Sequence, residues 1–145
     1  MERSEDSQAA GSPVLAAVSH AMVALHKEQF GRGATKVRTY FAGPDILVTL
    51  MEEGLLPAER VMVGLGEQQR VRENRLFFQV VTRERFVAEI ERITGRSVRS
   101  FLSATDPDRD VVIEVAVLEP RESRGDDGGG GALTTERAGE PGQDR

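Results

Sequence analysis

The chain has 145 residues, enough for one domain with a modest core. It contains no cysteine, which excludes disulfides, iron–sulfur clusters and thiolate metal sites and fits a reducing compartment. Net charge is −5, but the stretches 1–12 and 121–145 each carry −2, so residues 13–120 carry only −1 and exert no strong pull on nucleic acid or anionic lipid.

Arginine outnumbers lysine 17 to 2, which points to a GC-rich bacterial genome. No apolar run reaches the ~20 residues of a membrane span. The start, Met1 to Asp6, is acidic and polar and lacks the apolar segment of a signal peptide. The expected location is therefore the cytoplasm, peripheral to a membrane only through a partner.

Residues 1–11 are polar and uncapped and are expected to be disordered. Ser12-Pro13 reads as a helix start, with serine as N-cap and proline in the first helical position. Leu15, Val18, Met22 and Leu25 then form one stripe of an amphipathic helix that stops at Gly31. Residues 35–42 alternate, with Val37, Thr39 and Phe41 on one side and Lys36, Arg38 and Tyr40 on the other. Gly43-Pro44-Asp45 has turn composition. Ile46–Met51 is the return strand, and Gly54 closes it.

Pro57 opens a helical stretch that runs to Gly95, with Glu59 in its first turn. Glycine costs roughly 1 kcal/mol in a helix interior, so Gly64-Leu65-Gly66 predicts a short helix over 57–64, a break, and a long helix near 68–94. On the long helix Phe77, Val80, Val81, Val87, Ile90 and Ile93 make a broad apolar stripe, with Phe86 at its margin. That spacing predicts a buried stripe in which Phe77→Ala or Ile90→Ala costs several kcal/mol, on the order of 2–5. Strands are expected at 97–103 and 110–118, joined by the turn Asp106-Pro107-Asp108-Arg109-Asp110. The glycine-rich acidic tail, 121–145, is expected to be flexible and disordered.

The two hairpins read as copies. Val37-Arg38-Thr39-Tyr40-Phe41 matches Val98-Arg99-Ser100-Phe101-Leu102, and Asp45-Ile46-Leu47-Val48 matches Asp110-Val111-Val112-Ile113. The implied fold is α+β and two-layered: a duplicated αββ unit in the order α-β-β-α-α-β-β, spanning 12–120. It should form a four-stranded, mainly antiparallel sheet with helices on one face. One sheet face carries Val37, Phe41, Ile46, Val48, Leu50, Val98, Leu102, Val111, Ile113, Val115 and Val117, and is expected to take the helices. The other carries Arg38, Tyr40, Leu47, Met51, Arg99, Phe101, Val112, Glu114 and Leu118. It is expected to stay open, for a homodimer or a partner.

Motifs for chemistry are sparse. His20 and His26 lie on different sides of one helix and cannot share a metal, and no zinc motif is present. Gly31-Arg32-Gly33 and Gly64-Leu65-Gly66 lack the strand, helix and third glycine of a dinucleotide loop. Asp106, Asp108 and Asp110 lack the glycine and closing glutamate of a calcium loop. Tyr40 and Phe101 at matching strand positions suggest a base-stacking platform, but the basic surround is thin, which argues against nucleic acid. Arg70, Arg72, Arg75, Arg83 and Arg85 among Glu67, Glu73 and Glu84 read as a solvated helix face, or functionally as an anion or acidic-partner patch. No catalytic residue, metal or cofactor is expected.

Phe30-Gly31-Arg32-Gly33, Gly54-Leu55-Leu56-Pro57-Ala58-Glu59, Val71 with Arg75 and Phe78, and Ile93-Thr94-Gly95-Arg96-Ser97-Val98 occur in a characteristic order and spacing. On these residues the stretch 14–120 resembles the MpsC-type domain family, named for a sodium-translocating, membrane-potential-generating system. The resemblance implies no established enzymatic activity. It implies an accessory role beside a membrane system of NADH-dehydrogenase-like or inorganic-carbon-uptake type, with a membrane subunit as partner. Leu56 stands where the family tends to have the threonine of a capping box, and Ala34 where it often has proline. Gly31, Gly33, Gly54 and Gly95 read as structural turns and caps. Arg38, Arg75, Arg99, Phe101 and Glu59 are the candidate ligand or partner residues, with Arg75 expected to pair with Glu59 across the glycine break. The alternative is a small-anion or nucleotide-binding module, with the anion near the Gly31-Arg32-Gly33 turn.

Overall fold

Helix α1 (Pro13–Phe30) starts where the Ser-Pro pair predicts, with the Ser12 hydroxyl accepting a hydrogen bond from the Leu15 amide at 3.5 Å. In this computed structural model residues 12–121 are described. The tails expected to be disordered, 1–11 and 121–145 apart from Arg121, lie outside the described residues. Helix α1 ends at Gly31, whose φ of 77° is the left-handed conformation that glycine adopts without a Cβ clash. The hairpin β1 (Lys36–Phe41) and β2 (Ile46–Glu52) follows. Helix α2 (Pro57–Gly64) breaks at the two glycines before α3 (Gln68–Thr94), which is capped by Gly95 at φ 67°. The second hairpin is β3 (Val98–Asp106) and β4 (Val111–Leu118).

All four strands form one antiparallel sheet in the order β1-β2-β4-β3. The hairpins thus join through their second strands, an order the sequence does not determine. The repeat is visible in the details. Asp45 and Asp110 hold equivalent places, and their carbonyls accept from the amides of Leu118 and Glu53 respectively. Each side chain then ties down a neighbouring segment: Asp45 holds Arg96, and Asp110 accepts from the amides of Gly54 and Leu55.

On β1 the helices cover the expected side and leave Arg38 and Tyr40 open, but on β2, β4 and most of β3 they cover the side that was expected to stay open. Leu47, Met51, Phe101, Val112 and Leu118 are buried beneath α1 and α3, together with Ala116, Thr39, Thr49 and Glu114. Of the face expected to take the helices, Val37, Thr39, Phe41 and Val98 lie on the helix side, by register or by packing. Ile46, Val48, Leu50, Val111, Ile113, Val115 and Val117 alternate with the buried positions of β2 and β4, and Leu102 is 59% exposed. The physical reason is that the buried polar residues satisfy one another. Ser19 Oγ and Thr39 Oγ1 are 2.7 Å apart, and Thr39 Oγ1 and Thr49 Oγ1 3.2 Å apart. A paired hydroxyl costs little to bury, so counting apolar residues misjudged which face would be covered.

A β-bulge at Arg99, between the pairs Val98↔Leu118 and Ser100↔Val117, explains why the two copies differ. The extra residue reverses the alternation beyond it. Phe101 points into the core, whereas its counterpart Tyr40 points to the open face. The two aromatics lie on opposite sides, so they form no base-stacking platform.

The stripe expected on the long helix is only half buried. Phe86 and Ile90 are core residues at 4% and 2% exposure, and Val87 and Ile93 pack against them. Phe77, Val80 and Val81 are 62–65% exposed. At about 100° per residue, Val71, Arg75, Phe86 and Ile90 form one continuous buried stripe, and Phe77, Val80 and Val81 fall on the opposite side of the helix.

Candidate functional site

Two buried pairs of polar side chains lie within and under the helix layer. Met22 and Ser19 place His26 on the buried side of α1 at spacings of four and seven residues. There His26 Nε2 forms a short hydrogen bond with Glu114 Oε1 of β4. The imidazole is wedged against Phe86 edge-to-face and against Phe30, with ring centroids at 5.4 and 5.8 Å. The other oxygen, Glu114 Oε2, is buried with no hydrogen-bond partner among the described residues. His20, the second histidine of α1, is exposed.

Arg75 and Glu59 form the second pair, as the sequence predicts. Arg75 Nε donates to Glu59 Oε2 at 2.7 Å, and Nη2 donates to Oε1. Nη2 also reaches the Gly54 carbonyl at 3.3 Å, and the guanidinium stacks over the Phe30 ring at 4.1 Å. Both side chains are nearly buried, at 7% and 11% exposure. Glu59 Oε1 additionally accepts from the Leu56 amide at 2.9 Å. Half of a capping box therefore survives without a threonine at 56: the glutamate reaches back to the cap amide, but leucine returns no bond.

Between these pairs lies a small cavity of about 20 Å³, lined by His26, Gln29, Arg75, Gln79, Ser103, Thr105 and Glu114 with Phe30, Phe86, Phe101 and Val112. That volume holds a water molecule or two, not a substrate of several heavy atoms. Among the described residues no group of three or more His, Asp or Glu is placed to hold a metal ion. The arrangement is suited to locking α1, α2 and α3 onto the sheet.

The structure disperses the other candidates. Phe101 is 4% exposed and stacks on Phe86 at 5.7 Å, so it is a core residue and not a contact for ligand or partner. Arg38 lies on the open sheet face and Arg99 is exposed at the bulge. Gly33 lies where a Cβ would meet Val23 Cγ1 at 2.9 Å and the Val23 carbonyl at 3.2 Å, so a side chain there would have to displace Val23. Gly54 sits against Ala34. At the Gly31-Arg32-Gly33 turn, Arg32 donates to the Glu53 carbonyl at 3.4 Å.

The sequence reading missed Arg96. It donates to the carbonyls of Pro44 and Glu119 at 2.7 and 2.8 Å and to Asp45, tying the end of α3 to the β1–β2 turn and the end of β4. Its position straight after the Gly95 cap was the available signal. Glu114 was also missed, because its partner His26 lies 88 positions earlier.

The remaining feature is surface. Val61, Leu65, Leu76, Phe77, Phe78, Val80 and Val81, on or beside α2 and α3, account for most of the exposed large apolar side chains among the described residues. No helix among the described residues is long and apolar enough to cross a membrane. No curated protein and no solved structure gives a significant match to the chain. A family model described as "Na+-translocating membrane potential-generating system (MpsC)" matches residues 13–120, the whole of the helix-and-sheet domain, and the chain therefore belongs to the MpsC family.

Proposed function

We propose that this domain is a non-enzymatic accessory component of an ion-translocating assembly, held in the cytoplasm and docked on a membrane subunit through the ridge formed by α2 and α3. The family's association with a membrane-potential-generating system supports a multi-component setting. The observation that carries the reading is the ridge itself. Phe77, Val80 and Val81 fall at i, i+3 and i+4 on the outer side of α3 and are each more than 60% exposed. Val61 and Leu65 add 62% and 74% exposure on the same helical layer. Apolar side chains at this spacing are anchors for a partner's groove or helix.

The test is co-purification of the full-length chain with detergent-solubilised membranes of its own cell. A membrane subunit of an ion-translocating system should be retained by the native chain and lost in Phe77→Glu/Val81→Glu. Both substituted side chains face solvent, so the variant should keep its melting temperature. Failure of the native chain to retain such a subunit, or equal retention by the double variant, overturns the reading.

A further inference from the structure

The open face of the sheet is a second apolar surface, separate from the helical ridge. Pairing register sorts its side chains into rows across the strands. One row is Tyr40, Val48, Val115 and Leu102, and the next is Arg38, Leu50, Ile113 and Ala104. A third is Lys36, Glu52, Val111 and Asp106, and a fourth is Ile46, Val117 and Ser100. The centre is aliphatic, with Ile113 39% and Ile46 38% exposed. Two corners of the same row carry opposite charge, Lys36 on β1 and Asp106 on β3.

We propose that a second copy of this chain packs on this face, sheet against sheet, about a two-fold axis parallel to the strands and between β2 and β4. That axis lays β1 of one copy over β3 of the other and β2 over β4, with each row on its own counterpart. Leu50 then meets Ile113 of the other copy, Val48 meets Val115, and Tyr40 meets Leu102. Arg38 faces the small Ala104, which leaves room for the longer side chain. Lys36 faces Asp106 at both ends of the interface. A two-fold axis across the strands would give neither Lys36 nor Asp106 an opposite charge, and Glu52 lies over an aliphatic residue either way, Val111 about the parallel axis and Ile46 about the other. Charge complementarity therefore selects the parallel axis. The pair that Lys36 makes with Glu53 at 3.2 Å is solvent-exposed on both sides, so Lys36 can turn to the new partner at little cost.

Four strands about 4.8 Å apart and roughly seven residues long cover on the order of 450 Å². Two copies bury about 900 Å² of flat footprint, close to the ~1,000 Å² lower bound of specific association. The dimer is accordingly concentration-dependent.

Light scattering of the full-length chain over a dilution series should show a doubled mass at high concentration and a single mass on dilution. Leu102→Glu and Ile113→Lys should each abolish the dimer without lowering the melting temperature of the dilute, monomeric chain. Lys36→Asp and Asp106→Lys should each weaken it at least about tenfold, and the two combined should restore it. The chain has no cysteine of its own, so cross-linking is clean. A short bismaleimide should join Tyr40→Cys to Leu102→Cys in a mixture of the two single variants far better than it joins either variant to itself. A monomer at every concentration, a dimer that survives Leu102→Glu, or preferential self-linking of Tyr40→Cys overturns the proposal. The membrane-subunit reading rests on Phe77 and Val81. A monomer that still retains that subunit therefore overturns the dimer alone.

Discussion

Arg75 is held from three directions, by Glu59 on α2, by the Gly54 carbonyl and by the face of Phe30 at the end of α1. Removing it leaves a buried carboxylate without its counter-charge, which costs about 3–5 kcal/mol. Arg75→Ala should therefore lower the urea midpoint sharply, and Arg75→Lys should recover only part of the loss. Lysine keeps the charge but cannot make the two-pronged contact with the carboxylate or stack flat on the ring. The double variant Arg75→Ala/Glu59→Ala should be less destabilised than the sum of its parts, because it leaves no stranded charge. His26 and Glu114 invite the same experiment. His26→Ala should destabilise more than Glu114→Gln, since the amide can still accept a hydrogen bond from the ring and needs no counter-charge.

The same long helix serves two purposes along its length, and substitutions should divide accordingly. Ile90→Ala opens a cavity under the sheet and should cost about 2–5 kcal/mol. Phe77→Ala removes a side chain that is 62% exposed and should stay within about 0.5 kcal/mol, measured in the same denaturant series. The sequence reading expected both to be core. The expected stripe joined two sides of the helix: at about 100° per residue Phe77 lies well away from the side shared by Val71, Arg75, Phe86 and Ile90. Local signals did place the elements. Ser12-Pro13, Pro57, the Gly64–Gly66 break and the Gly31 and Gly95 stops set the helix limits, and the duplicated hairpins set the strands. The covered face of the sheet was not legible. It depends on polar pairs such as His26 with Glu114 and Thr39 with Thr49, which only the folded chain brings together, and on one bulge residue. Arg99 is that residue. Deleting it should leave a regular ladder with Val98 and Phe101 still pointing inward, and the fold should survive. Deleting Ser103, in the regular part of β3, forces one side of the strand to reverse faces and should abolish cooperative melting.

At the scale of the whole molecule, the helices occupy one side of the sheet, and the two apolar surfaces belong to different layers. One is the outer side of α2 and α3, and the other is the uncovered sheet. A domain built this way can hold a second copy and a membrane partner at once, with no competition between them. That geometry makes the two contacts separable by mutation. Phe77→Glu/Val81→Glu should lose the membrane subunit yet keep its concentration-dependent dimer mass. Leu102→Glu should lose the dimer and still retain the subunit, with weaker apparent affinity wherever a paired domain binds two sites on the assembly. If one of these substitutions disrupts both contacts while the melting curve is unchanged, the surfaces are not independent and a single shared interface must replace the two-sided arrangement. The Arg75–Glu59 pair offers an internal control. It braces the ridge from beneath through α2 and α3 but touches neither surface. Arg75→Lys should therefore weaken retention of the subunit only to the extent that it loosens the helix layer, and should leave the sheet-to-sheet dimer unaltered.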